Sequence, residues 1–230
     1  MLSAEARALY DVTGALADAL AYLKGVSPAW VSDAQASMNV MDPGIKPVWP
    51  GARMSGLVFT ARCYQGGIIT VHKALLEAPS GSVIVVEGAG DATGALFGEL
   101  MATEARARGL AGVVVDGAVR DAEGLGELQF PVFARAVTPR VGSNRRVGAT
   151  QGDIVCGGVA VRPGDVVVGG RDGVAIIPRA QLADVVMAVR AVAKKEAELR
   201  TRMQQGERVA DIIGMTSVIY PKTAASEPPA

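Results

Sequence analysis

Val83-Ile84-Val85-Val86 running into the glycine-rich loop Glu87-Gly88-Ala89-Gly90-Asp91, then Gly98-Glu99-Leu100-Met101-Ala102-Thr103, then Gly112-Val113-Val114-Val115-Asp116-Gly117-Ala118-Val119-Arg120-Asp121 read as strand, loop, helix and strand in succession. Val83–Val86 is a short apolar run introduced by the turn Ala78-Pro79-Ser80-Gly81, which suits a strand buried on both faces. The helix is expected from about Gly98 to Arg108, with Gly109 ending it, and Gly112–Val115 repeats the buried-strand pattern. The same alternation continues in both directions. Upstream, Gly56–Ala61 reads as a strand and Gly67–Glu77 as a helix. Downstream, Asp121–Leu128 reads as a short helix and Pro131–Ala134 as a short strand. Alternation of this kind predicts a parallel sheet with crossover helices.

Farther out the pattern changes. Asp153–Cys156, Val159–Val161, Val166–Val168 and Val174–Ile177 read as short strands broken by glycine-rich turns, with Asp172-Gly173 a good hairpin turn. They predict a second, antiparallel layer. Pro178 ends it, and Arg179–Gln205 reads as a long charged helix with Leu182, Val185, Val186, Val189 and Val192 on its apolar face. Gly206 separates it from a short helix, Val209–Ile213. At the other end, Leu9, Val12, Leu16, Leu20 and Leu23 recur at helical spacing up to Gly25, and Ser27-Pro28 caps a second helix through about Met38. Met41–Gly51, with three prolines, is expected to be an ordered loop. The expected organisation is a helical segment over 1–40, an α/β core over 41–178, a helical extension over 179–220 and a flexible tail over 221–230.

Composition narrows the function. The chain has 230 residues, half of them hydrophobic, which is ample for a core and excludes disorder. No stretch free of Asp, Glu, Lys and Arg exceeds ten residues, as in Cys63–His72, whereas a membrane-spanning helix needs roughly 20. Lys plus Arg and Asp plus Glu each number 23, so neither nucleic acid nor an anionic membrane is expected as the main partner. Met1–Tyr10 has no apolar core of a secretory signal, and the two cysteines form no CxxC motif. A cytoplasmic protein is expected.

The loop-to-helix junction at Gly98–Met101 follows a buried strand, so its backbone N–H groups are expected to point off the sheet's carboxyl edge and to suit a carboxylate or phosphate. Its glycines lack the G-x-G-x-x-G spacing of a dinucleotide site. The next junction ends in Arg120-Asp121, where ligands of open α/β sheets usually sit. Arg120 can grip a carboxylate with two donors, and Asp121 can ligate a hard cation such as Mg²⁺. Plainer alternatives stand beside both: a flexible turn with Glu99 as a first-turn acid, and a surface ion pair with Asp121 capping a helix. Glu99 and Arg120 belong to successive junctions and should lie side by side, a constellation for enolate chemistry on a 2-oxo acid. His72, the lone histidine, is expected to pack beside Ile68, Ile69, Leu75 and Leu76 rather than to act as a base. Cys63 and Cys156 are expected to be core thiols, Trp30 and Trp49 to pack, and Asn144-Arg145-Arg146 to be a solvated loop.

The run Gly98–Thr103 followed by Gly112–Asp121 resembles the RraA-like family, which includes the 4-hydroxy-4-methyl-2-oxoglutarate / 4-carboxy-4-hydroxy-2-oxoadipate aldolases, divalent-metal-dependent class II pyruvate aldolases. The family pattern is an acid, twenty residues, then Arg-Asp; here Glu99 precedes Arg120-Asp121 by that interval. Pro50-Gly51-Ala52-Arg53, Phe130-Pro131-Val132-Phe133-Ala134-Arg135 and Val161-Arg162-Pro163-Gly164-Asp165 extend the resemblance over roughly Asp33–Ile177. It implies a swivelling β/β/α three-layer fold with N-terminal helices and a long C-terminal helix. It also implies a trimer or hexamer whose sites lie between subunits. Asp121 would bind Mg²⁺ or Mn²⁺, largely through water, and Arg120 would clamp the substrate carboxylate and C2 oxygen. Backbone N–H groups of Gly98, Glu99, Leu100 and Met101 would hold the pyruvyl carboxylate. Glu99 would position a water acting as base, and Glu196 would come from a neighbouring subunit. The implied function is cleavage of a 4-hydroxy-2-oxo acid to pyruvate, with oxaloacetate decarboxylation as a side activity. A non-enzymatic regulator binding a ribonuclease, or an enzyme on another carbonyl substrate, is the alternative. Two positions depart from the family: Glu99 stands where the aldolases usually carry Asp. Gly124 stands where an acid is common, with Glu123 one place early.

Overall fold

The structure, a computed structural model, describes residues 3–64, 67–143 and 146–221. The expected tail, apart from Pro221, lies outside the described residues, as do Asn144 and Arg145. The helices are α1 (Ala4–Ala8), α2 (Gly14–Leu23), α3 (Pro28–Ala34), α4 (Ile69–Glu77), α5 (Glu99–Ala107), α6 (Ala122–Glu127), α7 (Leu182–Gln204), α8 (Val209–Ile212) and α9 (Thr216–Ile219). The strands are β1 (Lys46–Pro47), β2 (Met54–Arg62), β3 (Ser82–Ala95), β4 (Gly112–Val119), β5 (Val132–Val137), β6 (Ala149–Thr150), β7 (Ile154–Cys156), β8 (Val159–Val161), β9 (Val166–Gly170) and β10 (Gly173–Ile177). Residues up to Val189 form one compact unit and those from Arg190 a second.

In the first unit β2, β3, β4 and β5 run parallel, joined by α4, α5 and α6, as the alternation predicts. The expected second sheet is not separate. β9 pairs antiparallel with Met54–Leu57 at the start of β2, and β10 follows through the Asp172-Gly173 hairpin, so the strand order is β1-β5-β4-β3-β2-β9-β10. The free edge of the nine-residue β2 is satisfied by β9 at Met54–Leu57 and by β6 at Ala61–Arg62, with Gln151, Gly164 and Asp165 bonding to Val58 and Thr60 between them. Only β7 and β8 form a ribbon of their own. The sheet nearly closes on itself: Met41 N donates to Val174 O at 2.9 Å, and Lys46 Nζ to Asp172 O at 2.7 Å.

Three apolar clusters give the layers. Helices α4, α5 and α6 cover one face, with Val71, Leu75, Ala102 and Leu125 against Phe59, Ile84 and Val115. The ribbon β7–β8 packs Ile154, Cys156 and Val161 into the other face against Val83, Val85 and Phe133. Helices α2, α3 and the start of α7 cover β9 and β10 with Leu23, Val31, Val185 and Val189. This is the expected three-layer arrangement. Asp116, buried in β4, accepts from Arg135 Nε and from Gly157 N at 2.8 Å. Arg135 also reaches Asp42 at 3.1 Å, so one guanidinium ties β4, β5 and the loop before β1 together, while the Asp116 carboxylate holds the ribbon turn. The carboxylates beside it hold the Arg135 pKa above its ordinary value.

Three local expectations need correction. The single N-terminal helix is two: Gly14 adopts φ 53, and in the break the Tyr10 hydroxyl donates to Val58 O at 2.8 Å. Burial there pushes the Tyr10 phenol up to about 12. Helix α3 has the predicted cap, Ser27 Oγ accepting from Ala29 N at 3.2 Å, but stops at Ala34 because Ala36, Ser37 and Asn39 take positive φ. Finally, Glu87–Ala95 is not a loop. β3 continues through it for 14 residues in all, with register shifts after Val86 and Asp91, so its glycines mark bulges. In the second unit the remainder of α7 runs to Gln204 and is followed by α8 and α9.

Candidate functional site

The site begins where β3 and β4 end side by side. Leu96 N donates to Ala118 O at 2.8 Å and Arg120 N to Phe97 O at 3.0 Å, which fixes the two strand-to-helix junctions against each other. Gly98 is the N-cap of α5, and Asp121 is the N-cap of α6. Gly98 has extended backbone (φ −160), and the reason for glycine is space. A Cβ there would lie 2.7 Å from Asp121 Oδ2 and 2.9 Å from Arg120 Cγ. The Arg120-Asp121 pair thus sits directly on the Gly98 Cα.

Asp121 occupies the left-handed region at φ 58, uncommon outside glycine and a conformation that clusters at functional sites. It is placed as a helix cap but does not cap its own helix. Instead Oδ2 accepts from Arg120 Nε at 3.0 Å and from Glu99 N, the first N–H of α5, at 3.2 Å. Oδ1 has no partner among the described residues. Arg120 uses only Nε in this pair, so both Nη groups remain available to a ligand. The next N–H groups of α5, on Leu100 and Met101, have no partner inside the helix and face an anion with the positive end of the helix dipole.

These groups open into a cleft of about 200 Å³. Gly98, Leu100, Met101, Arg120 and Asp121 line it from the α5 and α6 junctions, and Ile68 and His72 line it from α4. The structure therefore brings together all the predicted residues of this edge except the Glu99 side chain. That carboxylate lies over α6, where a Cβ added to Gly124 would be 2.3 Å from Oε2. The two departures from the family pattern are spatially one: the longer acid at 99 fills the space that an acid at 124 would need. Glu196 lies in the second unit, its carboxylate 3.6 Å from Arg200 one turn along α7.

His72 is the residue that the sequence misassigned. The buried face of α4 is Thr70, Val71, Ala74 and Leu75, one position away from the face expected, so His72 and Leu76 point outward. Among the described residues the His72 ring has no hydrogen-bond partner. The other side chains considered in the sequence are structural. Cys63 and Cys156 are buried, which pushes the Cys63 thiol up to about 11 and Cys156 higher still. Trp49 Nε1 donates to Phe130 O at 2.8 Å, Trp30 packs on the α2–α3 cluster, and Arg146 lies over the Tyr64 ring at 5.8 Å.

Among the described residues no group of three or more His, Cys, Asp or Glu side chains is placed so that it could hold a metal ion. A dedicated cage of the calcium or zinc kind is therefore not what this edge offers. One free carboxylate oxygen in an open cleft fits a hard cation that keeps most of its water, which is how Mg²⁺ is usually held.

An arginine–aspartate pair set on a helix N-terminus at the carboxyl edge of a parallel sheet is the defining feature of this α/β protein's cleft. The chain belongs to the RraA-like family: the family profile, described as Aldolase/RraA, matches residues 13–176. A protein of Halalkalibacterium halodurans, provisionally named 4-hydroxy-4-methyl-2-oxoglutarate aldolase, is 35% identical over 185 residues, 80% of this chain and 87% of that protein. An uncharacterized protein of Pseudomonas syringae pv. tomato has the same fold, with a TM-score of 0.77, 30% identity, and coverage of 86% of this chain and 98% of that one. The RNA-processing inhibitor RraA of Thermus thermophilis is 33% identical with a TM-score of 0.60, covering 66% of this chain and 92% of that one. Among the described residues no helix is long and apolar enough to cross a membrane.

Proposed function

We propose that the protein is a divalent-metal-dependent lyase that cleaves a 4-hydroxy-2-oxo acid, such as 4-hydroxy-4-methyl-2-oxoglutarate, to pyruvate and a second carbonyl compound. Oxaloacetate decarboxylation is its side activity, because losing C4 as CO₂ and breaking C3–C4 in the aldol leave the same pyruvate enolate. The observation that carries the proposal is the Arg120-Asp121 pair seated on Gly98 at the N-terminus of α5. The Leu100 and Met101 N–H groups hold the substrate carboxylate. The Nη groups of Arg120 hold the carboxylate and the C2 oxygen, where negative charge develops. Asp121, through Oδ1 and water, would hold Mg²⁺ or Mn²⁺, which when bound supplies a Lewis acid. Glu99, its carboxylate over α6, positions a water that acts as base on the substrate hydroxyl. Relatedness to a protein named as an aldolase supports this assignment.

The test is pyruvate release from oxaloacetate with Mg²⁺ or Mn²⁺, repeated after EDTA. Release that EDTA stops is expected; release indifferent to EDTA, or none at all, overturns the proposal. The likeness to an RNA-processing inhibitor favours a second reading, a regulator that binds a ribonuclease and catalyses nothing. Under it the metal would have no effect on any activity, and the Arg120 and Asp121 side chains could be exchanged freely.

Gly98→Ala is expected to lower pyruvate release by about tenfold or more, since displacing a positioned group by about 1 Å can cost 10²-fold. The fold should persist, because the atoms displaced belong to the Arg120 and Asp121 side chains at the cleft rather than to the core. Activity equal to wild type would show that the pair need not rest on Gly98.

We also propose a trimer or hexamer, with Glu196 reaching a neighbour's site. Leu100, which lines the cleft, is 82% exposed, and Leu76 on α4 is 66% exposed, more bare apolar surface than a monomer usually keeps. Light scattering should report the trimer or its double, and a catalytically competent monomer would refute the shared site.

A further inference from the structure

We infer that Gly124 is a positioning residue: the missing side chain at 124 is the seat that sets where the Glu99 carboxylate lies. The catalytic consequence rests on the lyase function proposed above. Gly124 is the third residue of α6, a place where almost any other residue favours the helix more than glycine does. Its backbone does not require glycine, because it is not among the residues with positive φ. The requirement is space, and one side chain imposes it. The three atoms nearest a Cβ at 124 all belong to Glu99: Oε2 first, then Cδ at 2.5 Å and Cγ at 2.9 Å. Two residues farther along α6, a Cβ at Gly126 would meet Trp49 at an ordinary 3.5 Å.

The gap between α5 and α6 is pinned at both ends, so it cannot widen to admit a Cβ. At the junction, Arg120 N donates to Phe97 O at 3.0 Å and Glu99 N to Asp121 Oδ2 at 3.2 Å. At the far end, Arg106 Nη1 donates to Leu128 O at 2.9 Å, which ties the last turn of α5 to the C-cap of α6. Ala102, Ala105 and Leu125 are buried in the cluster beneath. A side chain at 124 therefore moves Glu99 and not the helices. The Glu99 carboxylate accepts no hydrogen bond from the described residues, so both oxygens are open to water and the seat alone selects its rotamer. Glutamate at 99 and glycine at 124 act as one device. The longer acid reaches α6 because α6 leaves room for it, and the water it positions moves when it moves. A displacement of about 1 Å in such a group can cost up to about 10²-fold in rate.

The test is a two-residue cycle in the full-length protein with Mg²⁺, read as pyruvate release from 4-hydroxy-4-methyl-2-oxoglutarate. Gly124→Ala is expected to lower kcat by about tenfold or more. KM and the Mg²⁺ concentration for half activity should stay nearly unchanged, because neither residue grips the substrate carboxylate or the cation. In Glu99→Asp the carboxylate falls one methylene short of residue 124, and adding Gly124→Ala to that variant should change kcat by less than about twofold. Equal fold losses in the two backgrounds, or no loss in either, overturn the role. The seat is also read without turnover: Gly124→Ala should raise Tm by more in Glu99→Asp than in the wild type, where the gain is offset by the displaced glutamate. Equal shifts overturn the seat. Unequal shifts in a protein that releases no pyruvate from this compound or from oxaloacetate sink the lyase function and leave the seat standing.

Discussion

Asp121→Ala is expected to abolish metal-dependent pyruvate release while leaving the fold in place. The carboxylate makes two contacts, with Arg120 Nε and Glu99 N, and its side chain is about one-third exposed, so its removal opens no core cavity. The stability cost is about 1 kcal/mol, because alanine tolerates the left-handed backbone less well than aspartate. The functional cost is several kcal/mol, on the order of 10³ in rate, since the charge that would hold the cation and its Lewis acidity is gone. Asp121→Asn is the companion variant. Asparagine accepts the left-handed conformation and keeps an oxygen facing Glu99 N, but it lacks the charge. Both variants should melt near wild type and both should lose turnover at saturating Mg²⁺. Near-normal activity in either would remove Asp121 from the metal site.

Most of the scaffold of this edge was legible because its signals are local. Val83–Val86 and Gly112–Val115 are apolar runs that fit only a doubly covered strand, and Gly98 and Gly109 bracket the helix between them. The twenty residues from Glu99 to Arg120 are one helix and one strand long, which brings successive junctions together at the same edge. What was not legible depended on partners distant in sequence. Nothing in Val166–Val168 says that its mate is Met54–Leu57 rather than a strand of its own half, because a short apolar strand suits either pairing. Gly88 and Gly90 announce an interruption, yet a bulge inside a long strand and a loop after a short one read alike. His72 was misplaced by one position of helical phase. Ile68, Ile69, Leu75 and Leu76 gave an apolar arc too wide to say which edge faces the sheet, and the structure buries the edge with Val71 and Ala74. A residue at the border of such an arc can be a core side chain or a cleft side chain, and only the sheet beneath decides it.

Arg120→Lys is expected to lose about 2–4 kcal/mol of transition-state stabilisation, the range for removing one preorganised donor at a developing oxyanion. The charge is kept, so the loss measures geometry. In this fold Arg120 Nε donates to Asp121 Oδ2, and under the proposed function the two Nη groups would grip the substrate. A lysine ammonium is a compact point charge on a flexible stem, and it cannot hold Asp121 with one donor and a carboxylate with two others in a plane. It will either stay paired with Asp121, leaving the C2 oxygen without its donors, or turn to the substrate and free the Asp121 carboxylate to move. The first outcome lowers kcat with KM nearly unchanged, because the lost contact strengthens only as charge develops on the oxygen. The second raises KM and weakens the dependence on Mg²⁺ as well. Steady-state kinetics across a Mg²⁺ titration distinguish the two, and the proximity of Gly98 favours the first, since the Cγ of residue 120 is packed where a Cβ at 98 would be. A lysine variant within threefold of wild type in kcat/KM would end the assignment of Arg120 to the developing oxyanion.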